Sequence, residues 1–144
     1  MPDFHVAVGD ETRFTKTVSE SDVYLFAGIT GDLSPNHVNQ RYMEQSVWGR
    51  RMVHGALLVG FVSTASTQAI AHTRNDPHET PVAVGFDKMR FLKPVFLGDT
   101  VTVAYRIAHI DLERRRSRAE VRITNQDEEL VAVSDHLLQW VPNA

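Results

Sequence analysis

The sequence contains no cysteine, and this absence excludes several kinds of chemistry. Without thiols the chain forms no disulfide, carries no thiol nucleophile and offers no thiolate ligands for zinc. Histidines are present, but those outside the segment discussed below show no metal-ligand spacing: His5, His72, His78, His109 and His136. We therefore expect neither a metal site nor a cofactor.

The chain also lacks a strong excess of one charge and a long apolar run. Its net charge of −3 gives no electrostatic reason to expect nucleic acid as a partner. The long uncharged run from Gly55 to Ala71 is shorter than the roughly 20 apolar residues that a membrane span needs. Residues 1–5 have neither a basic head nor an apolar signal core. A cytoplasmic protein without a membrane partner is expected.

The length of 144 residues predicts one domain over residues 1–144, large enough to bury a core without disulfides. In its first half the residue pattern predicts an edge strand, a short helix, a loop, a second short helix and a long central helix. The corresponding ranges are 12–18, 19–29, 31–36, 38–46 and 54–71. The long helix has no charged face, which is typical of a helix that is covered on most sides.

After Pro81 the pattern changes to apolar residues at every second position, which predicts strands. The first runs from Pro81 to Phe96, with Val82, Val84 and Phe86 on one face and a bulge near Lys88. Three more strands follow, around residues 101–107, 119–123 and 130–140. Antiparallel strands after one buried helix predict an α+β fold. One sheet would cover that helix only partly, so self-association as a homodimer or a higher homo-oligomer is expected.

The most informative segment is Phe26-Ala27-Gly28-Ile29-Thr30-Gly31-Asp32-Leu33-Ser34-Pro35-Asn36-His37, followed by His54-Gly55. Gly31 and Pro35 do not favour a regular helix, so we expect Asp32 and His37 on a loop, where catalytic groups often lie. Alternatively, Asp32 caps a helix and His37 is an unrelated surface residue. A carboxylate, an imidazole and an oxyanion donor at a helix N-terminus together suit the addition of water to a polarised double bond.

The pattern Phe-Ala-x-x-x-Gly-Asp-x-x-Pro-x-His with a later His-Gly resembles the MaoC-like (R)-specific enoyl-CoA hydratases of the hotdog fold. The resemblance extends from about Thr12 to the C-terminus. It implies a sheet wrapped around the central helix, a lyase activity, and an acyl-CoA or acyl-carrier-protein thioester as substrate. It also implies that Asp32 and His37 bind and activate water, in an order of acid and base that the sequence leaves open.

The resemblance further implies that the Gly55 N–H binds the thioester carbonyl oxygen, although Gly55 could also serve only close packing. His54 could simply cap or pack at the helix start. Members of the family often carry a serine at the position of Ser63, which otherwise reads as a small residue in a tight helix interior. The dipeptide Arg50-Arg51 precedes the active-site helix and is a candidate for binding the phosphates of the carrier.

The chain departs from the family pattern at Ser34, where the family usually has asparagine, and at Asn36, where it usually has an aliphatic residue. Ser34 can still hydrogen bond and preserve the shape of the loop. Asn36 either turns outward or gives the acyl pocket a polar feature. Both are therefore candidate substrate-binding residues.

Two other functions remain open from the sequence. A hotdog thioesterase would share the fold and the oxyanion site but would hydrolyse the C–S bond. A non-catalytic acyl-binding subunit would keep the loop while a partner supplied the chemistry, although the presence of both Asp32 and His37 argues against it.

Overall fold

The computed structural model describes residues 4–144, so the first three residues of the N-terminal segment lie outside the description. One antiparallel sheet contains five strands in the order β1-β3-β4-β5-β2. The strands are β1 (Glu11–Thr17), β2 (Glu79–Phe91), β3 (Thr100–Asp111), β4 (Arg116–Thr124) and β5 (Leu130–Pro142). The edge position predicted for the first strand is confirmed.

Four α-helices lie in the first half of the described chain: α1 (Glu20–Thr30), α2 (Pro35–Val38), α3 (Gln40–Glu44) and α4 (Gly55–Ala69). Helix α1 begins with a capping box in which Ser19 and Asp22 satisfy each other's backbone N–H groups. It ends at Gly31, whose φ of 82° is a left-handed conformation that glycine adopts at little cost. The first helix predicted from the sequence is therefore confirmed within one residue at each end.

The sheet wraps around α4, which packs against β1 and β3. The helix buries Leu58, Phe61, Val62, Ala65 and Ser66. This arrangement confirms the predicted α+β hotdog fold. The opposite stripe of α4 is uncharged and solvent-exposed in the single chain: Ala56, Gly60, Ser63 and Thr67. Across residues 4–144, no helix is both long and apolar enough to cross a bilayer.

Strand β2 contains two register shifts against β5, one between Ala83 and Gly85 and one between Asp87 and Arg90. The second confirms the bulge predicted near Lys88, whose φ is 54°. The first was not predicted, and it corrects the expectation that Val82 and Phe86 share a face. Because a bulge inserts one extra residue, these two side chains lie on opposite faces of the sheet.

Candidate active site

Asp32 and His37, five residues apart in sequence, come together beside His54. One potential ligand atom from each of these three side chains lies within 4.8 Å of the other two. His37 and His54 are buried, at 8% and 1% exposure, whereas Asp32 is exposed. The site therefore combines one solvent-accessible carboxylate with two enclosed imidazoles.

The segment between α1 and α2 folds through short-range hydrogen bonds of its own. The Ser34 N–H donates to Asp32 Oδ1 at 3.3 Å, and the His37 N–H donates to the Ser34 carbonyl at 2.9 Å. Residues 35–38 form a single helical turn. The predicted loop over residues 31–36 is therefore wrong for Pro35 and Asn36, which are helical. Pro35 is the first residue of that turn, where its missing N–H costs no hydrogen bond.

The backbone carbonyl of Met52 orients the imidazole of His37. His37 Nδ1 lies 2.8 Å from the Met52 oxygen. Because a carbonyl oxygen only accepts hydrogen bonds, Nδ1 carries the proton. In the neutral ring this leaves the lone pair on Nε2, so His37 is prepared to act as a base through that atom.

A backbone carbonyl also orients the ring of His54, which contacts both Asp32 and His37. Its Nε2 donates to the Asp32 carbonyl at 2.9 Å, and its ring stacks on His37 with the centroids 3.7 Å apart. The Phe26 ring also contacts it, with the centroids 4.7 Å apart. The side chain makes no helix-capping hydrogen bond. His54 thus links α4 to the Asp32 segment, a role that sequence reasoning missed.

The three-residue cluster is better arranged for proton transfer than for a metal ion. His37 and His54 each use one ring nitrogen to donate to a backbone carbonyl. Their rings are stacked at an interplanar angle of 24°. An ion prefers to lie in the plane of each imidazole that binds it, and two stacked rings do not offer a common in-plane position.

A cavity of about 460 Å³ opens beside the cluster, between the N-terminus of α4 and the end of β2. Its lining includes Asn36, His37, Met52, Gly55 and Phe91. The N–H of Gly55 belongs to the first turn of α4, where helix geometry provides no partner within the helix. The positive end of the helix dipole and this N–H favour a developing negative charge in the cavity.

Gly55 also packs closely against the end of β2. A Cβ atom built on Gly55 would lie 2.7 Å from Cζ of Phe91 and 2.8 Å from Cε2. Real Cβ atoms do not approach other atoms so closely, so the packing and oxyanion interpretations of Gly55 are compatible.

Four of the residues predicted from the sequence do not line the cavity, whereas Asn36 and Gly55 do. Ser63 is exposed on α4 and Ser34 on the loop, and neither is among the residues that line the cavity. Arg51 is committed to α1, donating to Glu20 at 3.0 Å and to the Tyr24 hydroxyl at 2.9 Å. Arg50 is exposed, with its guanidinium 3.8 Å above the Phe96 ring. Of these two arginines, Arg50 is the one still available to a phosphate.

Comparisons with known proteins relate the chain to a family of hydratases and dehydratases. The family model described as "MaoC like domain" matches residues 3–130. An (R)-specific enoyl-CoA hydratase of Rhodospirillum rubrum is 37% identical over 107 residues, 74% of this chain and 69% of that protein. A 3-hydroxybutyryl-CoA dehydratase of Methylorubrum extorquens is 35% identical over 136 residues, 94% of this chain and 80% of that protein.

A solved structure of similar fold is described as the (R)-hydratase from A. caviae involved in PHA biosynthesis. It superposes with a TM-score of 0.82 at 23% identity, covering 93% of this chain and 96% of that one. At this identity the likeness supports the fold, while the two relatives above carry the functional comparison.

Proposed function

Because this chain belongs to the MaoC-like domain family, we propose that it catalyses the reversible hydration of a 2-enoyl-CoA thioester to the (R)-3-hydroxyacyl thioester. It is an enzyme of the lyase class. The observation that carries the assignment is the meeting of Asp32 and His37 within 4.8 Å beside the cavity at the start of α4. The named relatives act on thioesters of this kind, as their descriptions state.

In the proposed reaction, His37 Nε2 takes a proton from water as the water oxygen bonds to the β-carbon. The electron pair of the double bond moves toward the thioester carbonyl, whose oxygen gains negative charge. The Gly55 N–H stabilises that oxygen at the N-terminus of α4. We assign the proton that the α-carbon gains to the Asp32 carboxyl group, which enters this step protonated, with His54 holding the Asp32 backbone in position. Protonated His37 then releases its proton to solvent and Asp32 takes one up from solvent, so that both groups are restored.

Asp32 does not lie in a narrow apolar pocket, the environment that would most favour proton transfer by a carboxyl group. In the single chain Asp32 is exposed, because the α1–α2 segment lies at the surface. The proposal therefore requires either access of bulk solvent to Asp32 or its coverage by a second copy.

A spectrophotometric assay tests the reaction. Incubation of the protein with but-2-enoyl-CoA should remove the absorbance of the conjugated double bond without releasing free thiol. Release of thiol would instead identify a thioesterase, and no change in either signal would identify an acyl-binding protein. The same assay with the acyl-carrier-protein ester shows which carrier the enzyme uses.

We further propose that the protein is a homodimer. Strand β2 is an edge of the sheet, and its backbone groups on the side away from β5 have no strand partner within residues 4–144. Val82 and Val84 on this strand are 40% and 45% exposed. The uncharged stripe of α4 is exposed as well. A second copy would cover these surfaces and complete the enclosure of the site.

A further inference from the structure

Tryptophan occurs twice in this chain, and the two side chains lie in opposite environments. Trp140, on β5, is fully buried in the core. Trp48 lies between α3 and α4, is 49% exposed, and lines the same cavity as His37. The reaction described above gives Trp48 no role. A large aromatic side chain that is half-exposed at a ligand cavity is a candidate for direct contact with the ligand.

Hydrogen bonds fix the backbone of the loop that carries Trp48. The Ser46 hydroxyl donates to the Met43 carbonyl at 2.7 Å, and Met43 is 2% exposed. The same hydroxyl oxygen accepts from the Trp48 N–H at 3.2 Å and from the Gly49 N–H at 3.4 Å. The backbone of Trp48 is therefore ordered before a ligand arrives, which reduces the entropy lost on binding.

The cavity has an enclosed part and an open part. His37 and Leu58 line the enclosed part, at 8% and 3% exposure. The open part is lined by exposed side chains, namely Trp48, Leu92 and Lys93. A ligand that reaches the imidazole from solvent on this side therefore passes the indole ring.

A bound thioester has to extend through the open part. The proposed reaction places the acyl β-carbon at His37 and the thioester oxygen at the Gly55 N–H. Beyond the sulfur, CoA and acyl-carrier protein continue in the same pantetheine arm, and neither carrier fits as a whole into about 460 Å³. Two exposed lining residues, Ala56 on α4 and Phe91 on β2, belong to the elements that the second copy would cover. The arm therefore leaves the cavity past Trp48.

We propose that the Trp48 indole packs against the pantetheine arm of the bound thioester and so makes the protein prefer thioesters that carry this arm. This inference rests on the proposed function. The face of the ring suits the methylene and methyl groups of the arm, and the indole N–H, which only donates, suits its amide carbonyls. CoA and acyl-carrier protein share this chemistry, so Trp48 contributes to the binding of either carrier.

The kinetic test uses Trp48→Leu, which removes the ring. We measure kcat and KM for but-2-enoyl-CoA, for but-2-enoyl-pantetheine, and for S-propyl but-2-enethioate, which has no arm. Because the arm takes no part in the chemical step, KM should rise about 5- to 20-fold for the first two esters while kcat is retained. The kcat/KM for the propyl ester should not change. Trp48→Phe, which keeps an aromatic ring, should recover part of the loss.

Three patterns would overturn the inference. An equal loss for all three esters would mean that the substitution disturbs the reacting groups. A loss for the CoA ester alone would mean that the ring contacts the nucleotide, and no loss for any ester would mean that it contacts nothing. The matched control is Val47→Ala on the same loop, because Val47 is 95% exposed and is not among the residues that line the cavity. This control should leave the constants for all three esters unchanged, and unchanged melting temperatures show that each variant is folded.

Fluorescence separates this inference from the reaction itself. The saturated ester S-butanoyl-pantetheine cannot be hydrated, and its addition to the parent should change the tryptophan emission up to saturation. Trp48→Leu, which retains only the buried Trp140, should show no such change. Binding detected by calorimetry without a change in the parent's emission would refute the role of Trp48, even if the enoyl assay shows hydration. A saturable change together with a negative enoyl assay would instead support the role of Trp48 and refute the hydratase.

Discussion

Two backbone carbonyls orient the imidazoles of the site. The Met52 carbonyl holds Nδ1 of His37, and the Asp32 carbonyl holds Nε2 of His54. Each contact selects one tautomer, because only the protonated nitrogen donates. The backbone that orients His37 comes from the segment before α4, whereas His37 itself lies on α2. The tautomer of His37 thus depends on the packing of these two parts of the chain.

Replacing Asp32 by asparagine should abolish hydration while the protein stays folded. The amide is nearly isosteric with the carboxylate, and it can still accept the Ser34 N–H that shapes the loop. What it lacks is the ability to transfer a proton. The measurement is the rate of loss of enoyl absorbance together with the melting temperature. Turnover close to that of the parent would exclude Asp32 from the chemical step.

His37→Ala should reduce kcat by about 10²- to 10⁴-fold, the usual effect of removing one acid or base group. The change also frees the Met52 carbonyl, so the melting temperature should be followed in parallel. Steady-state kinetics with but-2-enoyl-CoA provide the test. If KM alone rises and kcat is kept, His37 binds substrate and does not act as the base.

At the scale of single residues, the sequence predicted those site residues that lie close to one another in the chain. Asp32 and His37 lie five positions apart, so their meeting depends on one loop and is readable from Gly31 and Pro35. For His54 the sequence predicts only capping or packing at the helix start, because its contacts with Asp32 and His37 join segments 22 and 17 residues apart. The sequence signal for His54 was its position directly before Gly55. This position indicates the start of a helix but does not indicate which residues the imidazole contacts.

The N-terminus of α4 depends on close contact with the end of β2. In Gly55→Ala the new Cβ would meet the Phe91 ring at 2.7 Å, so the ring or the helix must shift. Because the proposed oxyanion donor is the N–H of the same residue, a shift of this kind should lower kcat/KM roughly 10- to 100-fold. Phe91→Ala introduced into the Gly55→Ala protein should recover part of the loss.

The matched control is Gly28→Ala in α1, where a new Cβ meets no atom of the described residues within 4 Å. This substitution should leave kcat/KM unchanged and increase the free energy of unfolding by about 0.5–1 kcal/mol, because alanine favours a helix interior. Equal kinetics for Gly55→Ala and the parent would mean that neither the ring nor the helix end is held tightly.

Among the elements, helices with caps were predicted well and the fine structure of β2 was not. Ser19 and Gly31 mark the two ends of α1 by local chemistry. The bulge after Ala83 arises from the pairing of β2 with β5, about fifty residues away in sequence, and alternation in one strand does not reveal such a shift. The turn of α2 escaped prediction because Pro35 serves equally to end a helix and to begin one.

At the scale of the whole molecule, the exposed apolar side chains of β2 and the uncharged stripe of α4 predict a dimer. Light scattering at micromolar concentration should therefore give a mass of about twice 16.2 kDa. Val82→Lys places a charge on the exposed edge strand and should shift the protein toward the monomer. Leu112→Lys is the control, because Leu112 is 51% exposed on the turn between β3 and β4. A parent protein that stays monomeric would refute the proposed dimer.

The buried pair of Tyr105 and His136 should make the stability of the fold depend on pH. Tyr105 Oη lies 2.8 Å from His136 Nδ1, and both side chains are at most 1% exposed. Burial lowers the pKa of His136 from 6.5 to about 4. Between these values the unfolded chain binds a proton that the folded chain does not, so the free energy of unfolding falls as the pH falls. The full decrease attributable to His136 is about 3 kcal/mol.

Carboxyl groups with lowered pKa act in a different pH range. Arg115 and then His5 lower the pKa of Glu79 from 4.5 to about 2, so its contribution is fully present above pH 4.5 and is lost as the pH falls toward 2. The change in the free energy of unfolding between pH 7 and pH 4.8, measured by urea titration, therefore comes mainly from the protonation of histidines. His136→Gln, which can still accept from Tyr105, should lose less stability between these two conditions than the parent does. An equal loss of stability in both proteins would mean that His136 is not the group responsible, and that burial does not lower its pKa.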